Sequence, residues 1–313
     1  MRDRDRYDES HLPWEGDTLR RYMVESATGA RIKARSMLFD LYGDFAVEAG
    51  RAGVMRLGAL VRLATSLGVN EMAVRSAKAR MVLDGWLRVE RLGRESAYAL
   101  TERGQQAVER SRRRLFTDPD AWWNGTWYVV ALSVPEARRD VRDRLRKELS
   151  WLGFGSPSSS LYVCTHDYRE DAVRLARDAD ALEFVQVYQA EAFWPEDPRR
   201  LVERSWDNLA EVNRRYEQFL DTFAPQLARV RTLRRTDDLD DREAFNLRFA
   251  LAKQFRDCLG DDPDLPLDLL PAAWNGVAAR LLFREFYSLV SPAALRYFDA
   301  VCDGAAQSGV NAA

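Results

Sequence analysis

The stretch from Leu57 to Leu100 constrains this chain most, because its breaks and its periodicities allow few folds. Leu57, Leu60, Val61, Ala64 and Leu67 recur at helical spacing and predict a short helix. Gly68-Val69 predicts a tight turn, with Gly68 as a left-handed stop. Asn70 is placed to cap a second helix from Glu71 to Asp84, buried along Val74, Ala77, Met81 and Val82. Its opposite face carries Glu71, Arg75, Ser76, Lys78 and Ala79. Upstream, Leu38, Leu41, Tyr42 and Phe45 mark a helix over Ala34 to Ala46, and Gly50 and Gly53 break the chain after it. Downstream, Gly85 ends the second helix, Trp86 to Leu92 alternates as a strand, Gly93-Arg94-Glu95 turns, and Ser96 to Leu100 pairs back. Thr101 then caps a helix reaching toward Arg114. The series predicts an N-terminal winged helix-turn-helix over residues 31–116.

Charge follows the same boundary. Residues 31–116 hold 17 Lys/Arg against 9 Asp/Glu, a net +8, while residues 117–313 hold 25 against 33, a net −8. A basic module on an acidic body meets a polyanion with one end only. The expected DNA contacts are Asn70, Arg75, Ser76, Lys78 and Ala79 on the second helix, and Arg88, Arg91 and Arg94 on the wing. Arg75 and Lys78 suit the groove, whereas Arg91 and Arg94 suit phosphate or the minor groove, which sets position more than sequence. The alternative is a protein-docking winged helix whose arginines are only solvated. Residues 1–30, with 5 basic against 7 acidic groups, read as a charged, flexible arm.

The middle of the chain, residues 121–195, reads as a small α/β unit. Trp127 to Val134 is an apolar strand, and Pro135-Glu136 opens a helix buried along Val141, Leu145, Leu149 and Leu152. A short strand near Phe154, a strand over Leu161 to Cys164, a helix over Asp171 to Ala181 and a strand over Phe184 to Ala192 complete βαββαβ, the split β-α-β or ferredoxin-like layout. A metal-dependent nuclease family of CRISPR systems shares this layout and keeps a catalytic Asp at the end of the first strand. Here that position reads Ala131-Leu132-Ser133-Val134, so the unit is expected to serve dimerisation.

Residues 198–303 read as helical, a C-terminal effector and dimerisation domain. Pro198 opens a helix to about Phe223, a polar linker spans Arg234 to Asp241, and further helices lie near Ala272–Val290 and Pro292–Val301. Trp206, Tyr216, Trp274, Phe283, Phe286 and Tyr287 form an aromatic set that suits a core or a ligand pocket. Trp274, Arg280 and Arg284 are the candidates for an anionic effector. The fold class expected for the whole is α+β.

Other classes fit poorly. No apolar run reaches the roughly 18 residues a membrane span needs, and the charged N-terminus lacks a signal-peptide core. Cys164, Cys258 and Cys302 lie far apart, and only His11 and His166 are histidines, so neither a disulfide framework nor a metal site is expected. There is no nucleophile elbow, which argues against a hydrolase. The expectation is a cytoplasmic non-enzyme without metal or cofactor. The rival readings are an interaction scaffold and, further off, a nuclease or an acyl-CoA enzyme.

Six strings, in order, resemble the PaaX-type repressors of phenylacetic acid degradation: SMLFDLYGDF (36–45), AVRSAKARMVLDGWL (73–87), GRESAYALTERG (93–104), WNGTWYVVALS (123–133), LSWLGFGS (149–156) and LPAAWNGVAARLLF (270–283). The similarity runs over about residues 35–300. It implies a homodimeric repressor on palindromic double-stranded operator DNA, acting in aromatic-compound catabolism. It also implies release by an aryl-acyl-CoA thioester such as phenylacetyl-CoA.

Overall fold

The computed structural model describes residues 34–50, 53–92, 95–117, 122–191 and 197–310. The arm expected over residues 1–30, and Arg94, lie outside the described residues. The architecture is α+β, with two small antiparallel sheets and a helical C-terminal region. Spatially the chain gathers into two compact units, one of residues 1–112, 228–254 and 285–313, the other of residues 113–227 and 255–284.

The first unit opens with α1 (Ala34–Leu41), which widens into a π-helical turn over Tyr42–Ala46. Strand β1 (Val54–Arg56), α2 (Leu57–Ser66), α3 (Glu71–Leu83), β2 (Leu87–Leu92), β3 (Glu95–Leu100) and α4 (Glu102–Phe116) follow. The sheet order is β1-β3-β2, with Met55 and Val89 both opposite Tyr98. Helix α2 ends as its glycine demanded. Gly68 sits at φ 84°, its N–H donates to Thr65 O and the Val69 N–H donates to Ala64 O, a Schellman stop. Gly85 ends α3 the same way, with Trp86 N donating to Met81 O at 2.8 Å. Thr101 caps α4, its Oγ1 accepting from Gly104 N at 3.2 Å. A Cβ on Gly104 would lie 2.6 Å from the Trp86 carbonyl oxygen, so only glycine lets α4 start this close to the hairpin. Phe45, at the end of the π-turn, packs on Phe245 and Phe298, so the later helices complete this core.

The second unit carries β4 (Trp127–Leu132), α5 (Arg139–Trp151), β5 (Gly155–Ser158), β6 (Leu161–Cys164), α6 (Arg169–Asp178) and β7 (Val185–Ala190). The strand order β5-β6-β4-β7, all antiparallel, is the split β-α-β arrangement. One sheet face packs Val130, Tyr162 and Cys164 on Leu145, Leu149 and Ala172 of α5 and α6. The other packs Trp127, Val129 and Val163 on Leu201, Val202, Trp206, Leu265 and Leu269. Burial on both faces explains why β4 reads as an unbroken apolar run rather than an alternation.

The C-terminal helices are α7 (Pro198–Ser205), α8 (Leu209–Thr236), α9 (Asp241–Gly260) and α10 (Gly276–Val310). Two differences from the sequence reading stand out. The helix expected from Pro198 to Phe223 is broken at Trp206, whose backbone is extended (φ −128°, ψ 91°). Its indole lies so close over Gly155 that a Cβ there would come within 2.5 Å of the ring. The two helices expected on either side of Pro292 are instead one, α10. A proline inside a helix costs about 3 kcal/mol, and burial of Val290, Ala293, Ala294 and Phe298 offsets it. No helix among the described residues is long and apolar enough to cross a membrane.

Candidate nucleic-acid interface

Helix α3 owes its exposed face to how its other face is held. Asn70 Oδ1 accepts from Ala73 N at 2.8 Å, which fixes the helix start, and Val74, Ala77 and Met81 bury the inner stripe. The outer ridge is Met72, Ser76, Ala79 and Leu83, with Arg75 and Arg80 exposed at its sides. Arg75 Nη2 lies 2.6 Å from Glu71 Oε1, a surface i,i+4 pair of the kind that contributes little to stability and is readily given up.

The remaining expected contacts among the described residues are Lys78, Arg88 and Arg91. Lys78 is half-buried, its Nζ 3.0 Å from the Tyr98 hydroxyl and 4.5 Å from the centre of that ring, so its charge is directed onto strand β3. Arg88 is exposed at the base of the hairpin, where Nη2 meets Glu90 Oε1 at 2.6 Å and Nη1 donates to Leu100 O at 3.3 Å. Arg91 is exposed further along β2, opposite Ser96. Arg75, Ser76 and Ala79 thus share one helix with Asn70 as its cap, and Arg91 stands on the adjoining hairpin.

Two exposed apolar side chains were not foreseen. Met72 is 80% exposed and Leu83 is 85% exposed, both on the outer ridge of α3. Their signal was already in the sequence, since both fall outside the stripe of Val74, Ala77 and Met81 at 100° per residue. On a groove-facing helix such groups suit the thymine methyl.

The effector candidates lie in the second unit. Arg280 Nη1 donates to Thr117 O at 2.5 Å, and Arg284 Nη2 donates to Phe116 O at 2.7 Å. Both guanidinium groups therefore meet carbonyls at the C-terminal end of α4, where the helix dipole favours positive charge. Trp274 lines a cavity of about 10 Å³ with Tyr216, Asp262 and Arg280, room for about one water. Tyr216 Oη donates to Asp262 Oδ2 at 2.5 Å. Burial pushes the Asp262 carboxyl above its ordinary range and the Tyr216 hydroxyl well above its own. Among the described residues no group of three His, Cys, Asp or Glu is arranged to hold a metal.

Residues 33–104 match the family model described as PaaX-like protein, residues 120–202 the PaaX protein central Cas2-like domain, and residues 206–300 the PaaX-like protein C-terminal domain. The chain is 31% identical over 279 residues to transcriptional repressor PaaX of Escherichia coli (strain K12), covering 88% of this chain and 86% of that one. Among solved structures it is similar to uncharacterized protein Rv0674 from Mycobacterium tuberculosis, at 23% identity and a TM-score of 0.49, over 78% of this chain and 89% of that chain. Three family matches in series, together with that identity over most of both chains, mean that this protein belongs to the PaaX family.

Proposed function

We propose that the protein is a transcriptional repressor that reads operator DNA through α3 and grips the backbone with the β2–β3 hairpin, as a winged helix-turn-helix. What carries this reading is the outer face of α3. Small side chains, Ser76 and Ala79, lie between exposed Arg75 and Arg80, so the helix can sit deep in a major groove while arginines reach base edges or phosphate. The relative's name, transcriptional repressor PaaX, supports the regulatory role. Arg75, Ser76 and Ala79 would face the groove, with Arg88, Arg91 and Arg94 toward phosphate. Asn70 and Lys78 act by holding α3 to its turn and to Tyr98.

The fuller reading is a cytoplasmic homodimer, paired through the split β-α-β sheet and the C-terminal helices, on a palindromic operator of a phenylacetate-type operon. Its two α3 helices would enter successive major grooves about 34 Å apart. Phenylacetyl-CoA or a related aryl-acyl-CoA would release it. The cavity beside Trp274 has room for about one water, so the loop before α10 must move to admit such a ligand. Arg280 and Arg284 would then exchange the carbonyls of Thr117 and Phe116 for phosphate.

A second reading, protein docking, draws on exposed Met72 and Leu83. One experiment separates them: fluorescence anisotropy on the upstream intergenic DNA at fixed salt, with and without phenylacetyl-CoA. The repressor reading expects specific binding that Arg75→Glu abolishes and the thioester reverses. Specific binding that no aryl-CoA reverses would remove the ligand and keep the DNA. No specific binding on any native fragment would favour docking.

A further inference from the structure

Arg248 lies within an otherwise apolar run of α9, Phe245 to Ala252, broken elsewhere only by Asn246, and its side chain is 0% exposed. Nη2 shares its two hydrogens among Asp44 O at 2.6 Å, Glu48 Oε2 at 2.6 Å and Tyr287 Oη at 2.5 Å. The guanidinium carbon lies 4.6 Å from the Phe45 ring centre and 4.4 Å from that of Tyr287. Tyr287 Oη also donates to Glu48 Oε2 at 2.9 Å. Arg112 of α4 adds a hydrogen bond to Gly43 O at 2.7 Å and reaches Glu48 Oε2 at 3.4 Å. Glu48 therefore gathers groups from α4, α9 and α10, all within the first unit. The carbonyls of Gly43 and Asp44 belong to the π-turn after α1, and such wide turns recur at functional positions.

Stability alone does not account for this cluster. Burying a guanidinium costs its hydration, and an apolar side chain of similar volume often serves the fold as well or better. What directional bonds to a carboxylate, a hydroxyl and a carbonyl supply is a single allowed arrangement. The π-turn continues directly from α1, and α1 packs along α3.

We propose that Arg248, with Glu48 and Tyr287, is a positioning latch that holds α1 against α9 and α10, so that the C-terminal helices fix the orientation in which α3 is presented. The consequence for operator choice rests on the DNA reading above, whereas the latch itself does not.

The test uses the full chain as wild type and as the double variant Glu48→Gln/Arg248→Met, which removes both members of the Glu48–Arg248 ion pair together. Amide hydrogen exchange over residues 34–48 and 71–83 is expected to run at least about fivefold faster in the variant, with β4 and β6 unchanged. Operator discrimination against a scrambled fragment of equal length is expected to fall about tenfold, while affinity for the scrambled fragment holds, since phosphate contacts carry that affinity. A cluster that merely stabilises would leave both readouts at their wild-type values in the folded double variant. Unchanged exchange in α1 and α3 of the folded variant overturns the latch. Wild-type protein without operator discrimination would instead sink the repressor reading, and the exchange data would still decide the latch. If the double variant does not fold, Tyr287→Phe, which keeps both charges and the ring, carries the same exchange test with the same two outcomes.

Discussion

Helices α3 and α5 are both rich in arginine, yet their exposed faces differ in kind. On α5, Arg142 meets Glu136 at 2.8 Å, Arg144 meets Glu148 at 3.0 Å and Arg139 lies 3.7 Å from Asp143, a face of long side chains held by local carboxylates. On α3, Ser76 and Ala79 form the middle of the exposed ridge, with Arg75 and Arg80 at its sides. A face of long paired charges keeps the helix axis away from any surface it meets. A ridge that is small at its middle, between Met72 and Leu83, lets the backbone approach closely there and leaves the arginines to reach inward. Counting basic residues does not separate the two helices. Side-chain length at the middle of the ridge does.

Five measurements would break or sharpen that contrast, and the largest concerns what holds each helix. Phe45 packs on both Phe245 and Phe298, so Phe45→Ala is expected to lower the unfolding free energy by about 3–5 kcal/mol in urea titration. A loss below about 1 kcal/mol would mean that the later helices do not complete the first unit's core. Next, Ala79→Glu on α3 is expected to weaken operator binding by about 10- to 100-fold, while Arg144→Glu on α5 leaves the affinity within twofold. Equal losses from both would remove the distinction between the helices. Asn70→Ala takes away the α3 cap and is expected to cost about 1 kcal/mol, read as a lower melting temperature.

The fourth effect is one of pH. Because burial raises the folded carboxyl of Asp262 above its ordinary 3.8, stability is greatest where it is protonated. It falls as pH climbs from that value through the raised one. Asp262→Asn should flatten this slope in denaturation series across that range, and a slope unchanged in the variant would reassign it to another group. Smallest of all, Arg144→Ala breaks an exposed pair with Glu148 and is expected to leave the melting temperature where it is.

What the sequence determined by itself was local. Gly68 and Gly85 had to end their helices because the left-handed conformation costs glycine little, and both sit at positive φ in Schellman stops. Asn70 and Thr101 cap where their side chains can reach the first free N–H groups, and strand β4 announced its two-sided burial by lacking polar alternation. These outcomes depend on neighbours within a few residues, which is the range over which periodicity and capping carry information.

Tertiary structure decided the rest, because it depended on partners far along the chain. Trp206 breaks the expected helix because Gly155 leaves its indole a place to lie. Lys78 leaves the exposed face of α3 for Tyr98, and Arg280 and Arg284 turn to the end of α4. Residues 198–303, read along the sequence as one helical domain, contribute to both compact units. Arg248 stands in its sequence as one charge in an apolar helix. Only the arrival of Asp44, Glu48 and Tyr287, from 39 to 204 positions away, gives that charge its partners.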